Sequence, residues 1–173
     1  SYLGKDYPII KDSYQTVFSP QTAYQMTSIL EGVVKRGTAK KIKDLKLNIA
    51  GKTGTTNKNT DTWFIGFTSN LLIGVYVGSD NPVSLGKYET GSKTALPIFK
   101  EFIKKVVKKS EARPFKAAKG TVMMVVDPIT GQKAKFTSKN TIIEVYKKEN
   151  VINGEVLYSN NDRLDVNNIL KFY

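Results

Sequence analysis

The sequence contains no cysteine and no histidine. Their absence removes thiol chemistry, disulfide bonds, histidine-based zinc sites and any Ser-His-Asp triad. It does not fix a compartment, because a chain without cysteine is equally compatible with an oxidising one. A hydrolase or transferase built from these residues needs a base other than histidine, and lysine is the candidate. Long apolar runs are also missing. The longest, residues 71–77, has the length of a strand, far from the roughly 20 residues of a membrane-spanning helix. Acidic residues are scarce: 15 Asp and Glu stand against 27 Lys and Arg, a formal net charge of +12. Such a surface attracts polyanions such as nucleic acid, anionic headgroups or acidic wall polymers. No arginine-rich or aromatic-interleaved groove pattern accompanies the charge, so the lysines read as a solubilising surface and no specific nucleic acid is expected.

What remains is ordinary for a globular protein: 173 residues, 40% hydrophobic and 24% charged. That length suits one domain with a core, or one domain and a small appendage. Residues 1–17 have no clear period. Ser19-Pro20 then reads as a helix start, with serine at the N-cap and proline at the first helical position. Ala23, Met26, Leu30, Val33 and Val34 follow at helical spacing as a stripe for core packing, and Gly37 is a stop residue. Residues 38–46 carry Lys40, Lys41, Lys43 and Lys46 and read as a solvated basic loop. Three short runs rich in β-branched and aromatic residues come next, at 47–55, 62–67 and 71–77. Turn residues join the first two, and Ser69-Asn70 allows only a hairpin between the last two. Residues 94–109 read as a helix with Ile98, Phe99, Phe102, Ile103, Val106 and Val107 on its apolar face.

Residues 110–120 look like a linker. Beyond it, 121–126 and 141–146 are strand candidates. Asn153-Gly154 between apolar flanks is a strong hairpin signal. The expected organisation is a unit at 1–109, a linker at 110–120 and a small β-rich appendage at 121–173. The fold class is α+β, an antiparallel sheet with flanking helices.

The stretch around which the chain is organised is Asn48-Ile49-Ala50-Gly51-Lys52-Thr53-Gly54-Thr55-Thr56-Asn57. Gly-Lys-Thr could belong to a phosphate loop, but that needs a glycine at position 46 and a helix after the Lys-Thr. Position 46 is Lys46, and a turn and a strand follow. The other meaning is a strand-borne Lys-Thr-Gly facing a serine nucleophile. The longer pattern supports it: Val17-Phe18-Ser19-Pro20, Gly32-Val33-Val34-Lys35-Arg36-Gly37-Thr38-Ala39, Trp63-Phe64-Ile65-Gly66-Phe67-Thr68, Val77-Gly78-Ser79-Asp80-Asn81-Pro82, Ser84-Leu85-Gly86, Glu89-Thr90-Gly91 and Ala95-Leu96-Pro97-Ile98-Phe99-Lys100. In order over roughly residues 14–105, the chain resembles the transpeptidase domain of bifunctional, class A penicillin-binding proteins.

The resemblance implies a part for each motif residue. Lys52 supplies positive charge and helps relay protons during acylation. Thr53 and Thr55 offer hydroxyls to the terminal carboxylate of a peptide ending in D-Ala, or of a β-lactam. Gly54 lets the substrate backbone approach, the Thr55 N–H is one oxyanion donor, and Thr56 completes the substrate-binding set. Strand alternation puts Thr53 and Thr55 on one face, so Lys52 needs a bend or bulge to join them. No cofactor or metal is implied.

The nucleophile is not found in this chain. Ser84-Leu85-Gly86-Lys87 fits Ser-x-x-Lys, and Ser79-Asp80-Asn81 and Ser159-Asn160-Asn161 fit Ser-x-Asn, but all follow Lys52, against the family order. The Ser-x-x-Lys motif needs the first turn of a buried helix, which Pro82 and Gly86 oppose. The resemblance therefore implies one wall of a transpeptidase site, with nucleophile, glycosyltransferase domain and membrane anchor upstream and the domain on the outer face of the bacterial cytoplasmic membrane. Expected partners are stem peptides and β-lactams together with the upstream half. A homodimer or strand swap through the edge at 71–77 is also expected, unless the appendage covers it. The alternative is a non-catalytic basic module binding wall polymer or nucleic acid.

Overall fold

The computed structural model describes residues 15–81, 83–108, 113–135, 137–152 and 155–156. Helix α1, Pro20–Lys35, begins as its sequence predicts: the Ser19 hydroxyl accepts from the Thr22 N–H at 3.2 Å, and Pro20 occupies the first turn. It ends as expected just before Gly37, with Arg36 at its C-cap. Gly37 is not left-handed; a Cβ there would stand 3.0 Å from Val33 Cα, and its N–H and that of Ala39 both bond to the Val33 carbonyl. The glycine permits a close approach rather than a reversal.

The segment after α1 is a correction. Residues Lys40–Leu45 form a 3-10 helix with Ile42 and Leu45 buried, where a solvated loop was expected. The lysines face water while Ile42 and Leu45, spaced three apart, share its inner side.

Strands β1 (Ala50–Thr55), β2 (Thr62–Phe67) and β3 (Leu72–Val77) make an antiparallel sheet in that order. Helix α2, Ala95–Val106, packs on one face. There Phe64 and Phe99, both fully buried, meet edge to face with centroids 4.7 Å apart. Val34, Ala39, Ile42, Leu45, Ile49, Ala95, Leu96 and Ile103 complete this core. Gly66 exists for it: a Cβ there would lie 2.6 Å from Phe64 and 2.8 Å from Phe99. The α2 ammonium of Lys100 reaches the 3-10 helix, 2.7 Å from Asp44 and 3.0 Å from the Lys41 carbonyl. Lys100 thereby holds the Asp44 carboxyl below its ordinary range.

Two apolar stripes expected in the core reach it only in part. Of the α1 stripe, Val34 is buried and Val33 packs on the core, while Ala23 and Met26 are exposed, because the core lies under the last turns of the helix. On α2, Phe99 and Ile103 are buried, but Ile98, Phe102 and Val106, at i, i+4 and i+8, form a second stripe that is half exposed. The other face of the sheet is likewise open: Trp63, Ile65, Leu72 and Tyr76 are all substantially exposed.

The C-terminal part is β-rich, as expected. Strand β4 (Thr121–Val126) pairs antiparallel with β5 (Ile142–Lys147). Strands β6 (Val151–Ile152) and β7 (Glu155–Val156) pair antiparallel, while Asn153-Gly154 lie outside the described residues. The side-chain core here is Met124 and Val126, with Val122, Ile142, Tyr146 and Val151 around them. Among the described residues this unit adds no strand to β3. It packs on α1, where Gln21 Nε2 donates to the Lys119 carbonyl at 3.0 Å and Gln25 Nε2 to the Val145 carbonyl at 3.1 Å. Arg36 pairs with Glu144. The segment before it is not a free spacer either, since Phe115 packs edge-on against Phe67 with ring centroids 5.5 Å apart.

Candidate active site at the free edge of the sheet

The register of β1 against β2 is unbroken, from Ala50 opposite Phe67 to Thr55 opposite Thr62. No bulge interrupts it, so the bend expected at Lys52 is not formed. Lys52 leaves on the face opposite Thr53 and Thr55. Its ammonium turns along its own strand and donates to the Thr53 carbonyl at 2.9 Å. What unites the three residues is an edge rather than a face.

Hydrogen-bond alternation shows why. The Thr56 N–H donates to the Asp61 carbonyl at 3.0 Å, so Thr56 stands at a position whose backbone faces β2. In an antiparallel pair the bonded positions alternate. Lys52 and Gly54 therefore bond to β2, while the N–H and C=O of Thr53 and Thr55 point away from it. Strand β1 is the margin of the described sheet, so these groups face its open side.

Both threonine hydroxyls have partners from distant segments. Thr53 Oγ1 lies 2.9 Å from Thr38 Oγ1, and the Gly91 N–H donates to Thr55 Oγ1 at 3.1 Å. Gly54 leaves little spare room, as a Cβ there would sit 3.2 Å from that of Trp63. Thr56 serves the turn. Its hydroxyl accepts the N–H groups of Thr60 and Asp61, both at 3.0 Å, and so closes the β1–β2 turn. That turn is further fixed by Asn59, left-handed at φ 52°, whose amide donates to the Gly86 and Lys87 carbonyls at 3.0 Å. The Tyr76 hydroxyl donates to Asp61 at 2.7 Å, and this bond with that of Thr60 keeps the Asp61 carboxyl below its usual range.

On the Lys52 side lies a cavity of about 580 Å³, lined by Ile29 and Val33 of α1, its cap residue Arg36, Thr38, Lys52, and Glu144 and Tyr146 of β5. Burial raises the Glu144 carboxyl above its ordinary value, with Arg36 and then Lys35 opposing. The Arg36 guanidinium lies over Gly32, where a Cβ would stand 2.9 Å from it.

The serine motifs set aside in the sequence stay apart. Ser84 sits in a loop, its hydroxyl accepting from the Gly86 N–H at 3.2 Å. Gly86 is at φ 131°, and the Lys87 ammonium lies 5.5 Å from the Tyr88 ring centre. Ser79 and Asn81 are exposed loop residues, and Ser159 and Asn161 fall outside the described residues. Three residues at this edge were not read as site residues: Thr38, Gly91 and Glu144. Thr38 and Gly91 stood inside quoted motifs, but nothing in linear spacing brings them to Thr53 and Thr55.

The penicillin binding protein transpeptidase domain family matches residues 10–104. The chain belongs to this family. Among curated relatives, Penicillin-binding protein 1A of Rickettsia conorii is 41% identical over 160 residues, 91% of this chain and 20% of that protein. Penicillin-binding protein 1A of Pseudomonas aeruginosa is 38% identical over 145 residues, 78% of this chain and 18% of that protein. The crystal structure of Penicillin-Binding Protein 1A from Haemophilus influenzae superposes with a TM-score of 0.67 at 28% identity, covering 83% of this chain and 22% of that one. The resemblance to class A penicillin-binding proteins and the mixed, antiparallel fold are thus borne out. The chain spans about a fifth of the length of these curated relatives.

Proposed function

We propose that this chain is the C-terminal part of a serine-type D,D-transpeptidase domain of peptidoglycan synthesis and supplies the Lys-Thr-Gly wall of its acyl-transfer site. The observation that carries the reading is the open edge of β1, where the Lys52 ammonium and the backbone groups and hydroxyls of Thr53 and Thr55 converge. A peptide ending in D-Ala, or a β-lactam, lies along this edge as an added strand. Its carboxylate takes hydroxyl donors from Thr53 and Thr55. A serine from the upstream half attacks the carbonyl carbon, and the Thr55 N–H donates to the oxyanion that develops. Lys52 adds positive charge and helps carry the serine proton toward the departing D-Ala amine. An amine of a second stem peptide then takes the acyl group.

The upstream half is the partner this reading requires. The open face bearing Trp63, Ile65, Leu72 and Tyr76 and the stripe of Ile98, Phe102 and Val106 are apolar surfaces suited to it. The backbone groups of Leu72, Gly74 and Tyr76 point to the side of β3 that carries no strand among the described residues. Alone, the chain is expected to dimerise or swap strands there. A compact monomer by light scattering, with β3 amides protected in hydrogen exchange, would overturn that expectation. Upstream segments also hold the glycosyltransferase domain and the anchor that keeps the protein at the outer face of the cytoplasmic membrane.

Acylation by a labelled penicillin tests the function. The chain alone stays unlabelled, and the polypeptide carrying both halves is labelled. In the latter, Lys52→Ala and Thr55→Val depress acylation while the fold persists. Parent rates in both variants would overturn the site. A chain that instead binds polyanions with a steep salt dependence, and never restores labelling, would favour the basic binding module.

A further inference from the structure

Thr55 and Gly91 are far apart in sequence and meet in one hydrogen bond, the Gly91 N–H donating to Thr55 Oγ1 at 3.1 Å. Gly91 is buried in the turn that leads into α2, and that turn is tightly held. The Leu96 N–H donates to the Gly91 carbonyl at 2.8 Å, the Thr94 N–H to that of Thr90 at 3.0 Å, and Thr94 Oγ1 lies 2.6 Å from that of buried Thr62. No side chain fits at position 91: a Cβ would stand 2.4 Å from the Trp63 carbonyl, 2.7 Å from that of Gly54 and 3.2 Å from Thr53 Cβ. The amide is thus locked against the hydroxyl by packing on three sides.

The polarity of this contact matters. A hydroxyl has one proton and two lone pairs, whereas a backbone N–H can only donate. The Gly91 amide takes one lone pair of Thr55 Oγ1 and cannot receive its proton. That proton is left for the exposed side, and a carboxylate, which only accepts, is the complementary ligand. We propose that Gly91 is a positioning residue that fixes the Thr55 hydroxyl as a donor to a ligand carboxylate at the β1 edge. This rests on the transpeptidase reading, with Gly91 outside the Lys-Thr-Gly motif.

The test compares two probes on the polypeptide carrying both halves of the domain: benzylpenicillin, whose carboxylate is free, and its methyl ester. The readout is the ratio of their second-order acylation rates. Replacing the Gly91 amide by an ester through incorporation of glycolic acid removes the N–H without adding an atom. The acid-to-ester ratio should fall about tenfold, the worth of a charge-assisted hydrogen bond. In the Thr55→Val background the same replacement should change the ratio no further. Gly91→Ala, if it folds, should also lower the ratio. Should it fail to fold, the amide-to-ester variant still decides. An unchanged ratio, or equal losses with both probes, would overturn the proposal. A parent protein that neither probe acylates would overturn the transpeptidase reading and this inference with it.

Discussion

Truncating Phe99 to alanine tests whether α2 and the sheet share the core described. Phe99 is 0% exposed and meets Phe64 edge to face at 4.7 Å. Burying an aromatic side chain removes on the order of 150–250 Å² from water. At about 25 cal/mol per Å² that is worth roughly 4–6 kcal/mol, an upper bound because the alanine methyl stays buried. Core Phe→Ala substitutions typically cost about 3–5 kcal/mol, including the cavity left behind. Alanine returns about 0.5 kcal/mol of helix propensity. The expected loss is therefore about 4 kcal/mol, against a typical domain stability of about 5–15. The assay is urea unfolding followed by the fluorescence of Trp63, the sole tryptophan. With a slope near 2 kcal/mol per M, the midpoint should fall by about 2 M. A double-mutant cycle with Phe64→Leu and Phe99→Leu should return about 1 kcal/mol of coupling from the ring contact. A loss below about 1 kcal/mol, together with zero coupling, would mean that the two rings do not share one core.

Three further outcomes are expected. Gly66→Ala forces a methyl against both rings and should cost about 1–3 kcal/mol by thermal unfolding; a neutral result would place the rings elsewhere. Arg36→Ala should release the hairpin β4–β5 from α1, so hydrogen exchange should quicken at 142–147 while 62–67 stays protected; equal change in both would refute the latch. For Glu144, burial raises the folded pKa above the unfolded one, so the fold binds more protons. Its contribution to stability is largest below the unfolded value and declines as pH rises through the folded value. Glu144→Gln should thus gain stability relative to the parent as pH rises across that window, and parallel pH profiles would contradict it.

Much of this protein is written in local pattern. Ser19-Pro20 determines the start of α1, because a cap hydroxyl and a preset φ act within one turn. Alternating β-branched and aromatic residues determine three strands, and Ser69-Asn70 and Asn153-Gly154 determine hairpins, because two-residue connections leave few geometries. The order of motifs around Lys52-Thr53-Gly54-Thr55 determines the family. Other features depend on groups distant along the chain. The 3-10 helix at Lys40–Leu45 follows from burial of Ile42 and Leu45, which a lysine-rich composition conceals. The exposed part of the α1 stripe is set by how much of that helix lies over the core, and that of α2 by which side of the helix meets the sheet, neither of which has a local signal. The same holds at the site. Alternation assigns Lys52 and Thr53 to opposite faces, and only the place of β1 at the sheet margin turns that division into a shared open edge. Thr38 and Gly91 reach the motif threonines through chain reversals, and the appendage reaches α1 through Gln25, Arg36 and Glu144. Hydrogen bonds between residues 15 to 120 positions apart are decided by how packed elements lie against one another, and the sequence states the donors and acceptors without stating who meets whom.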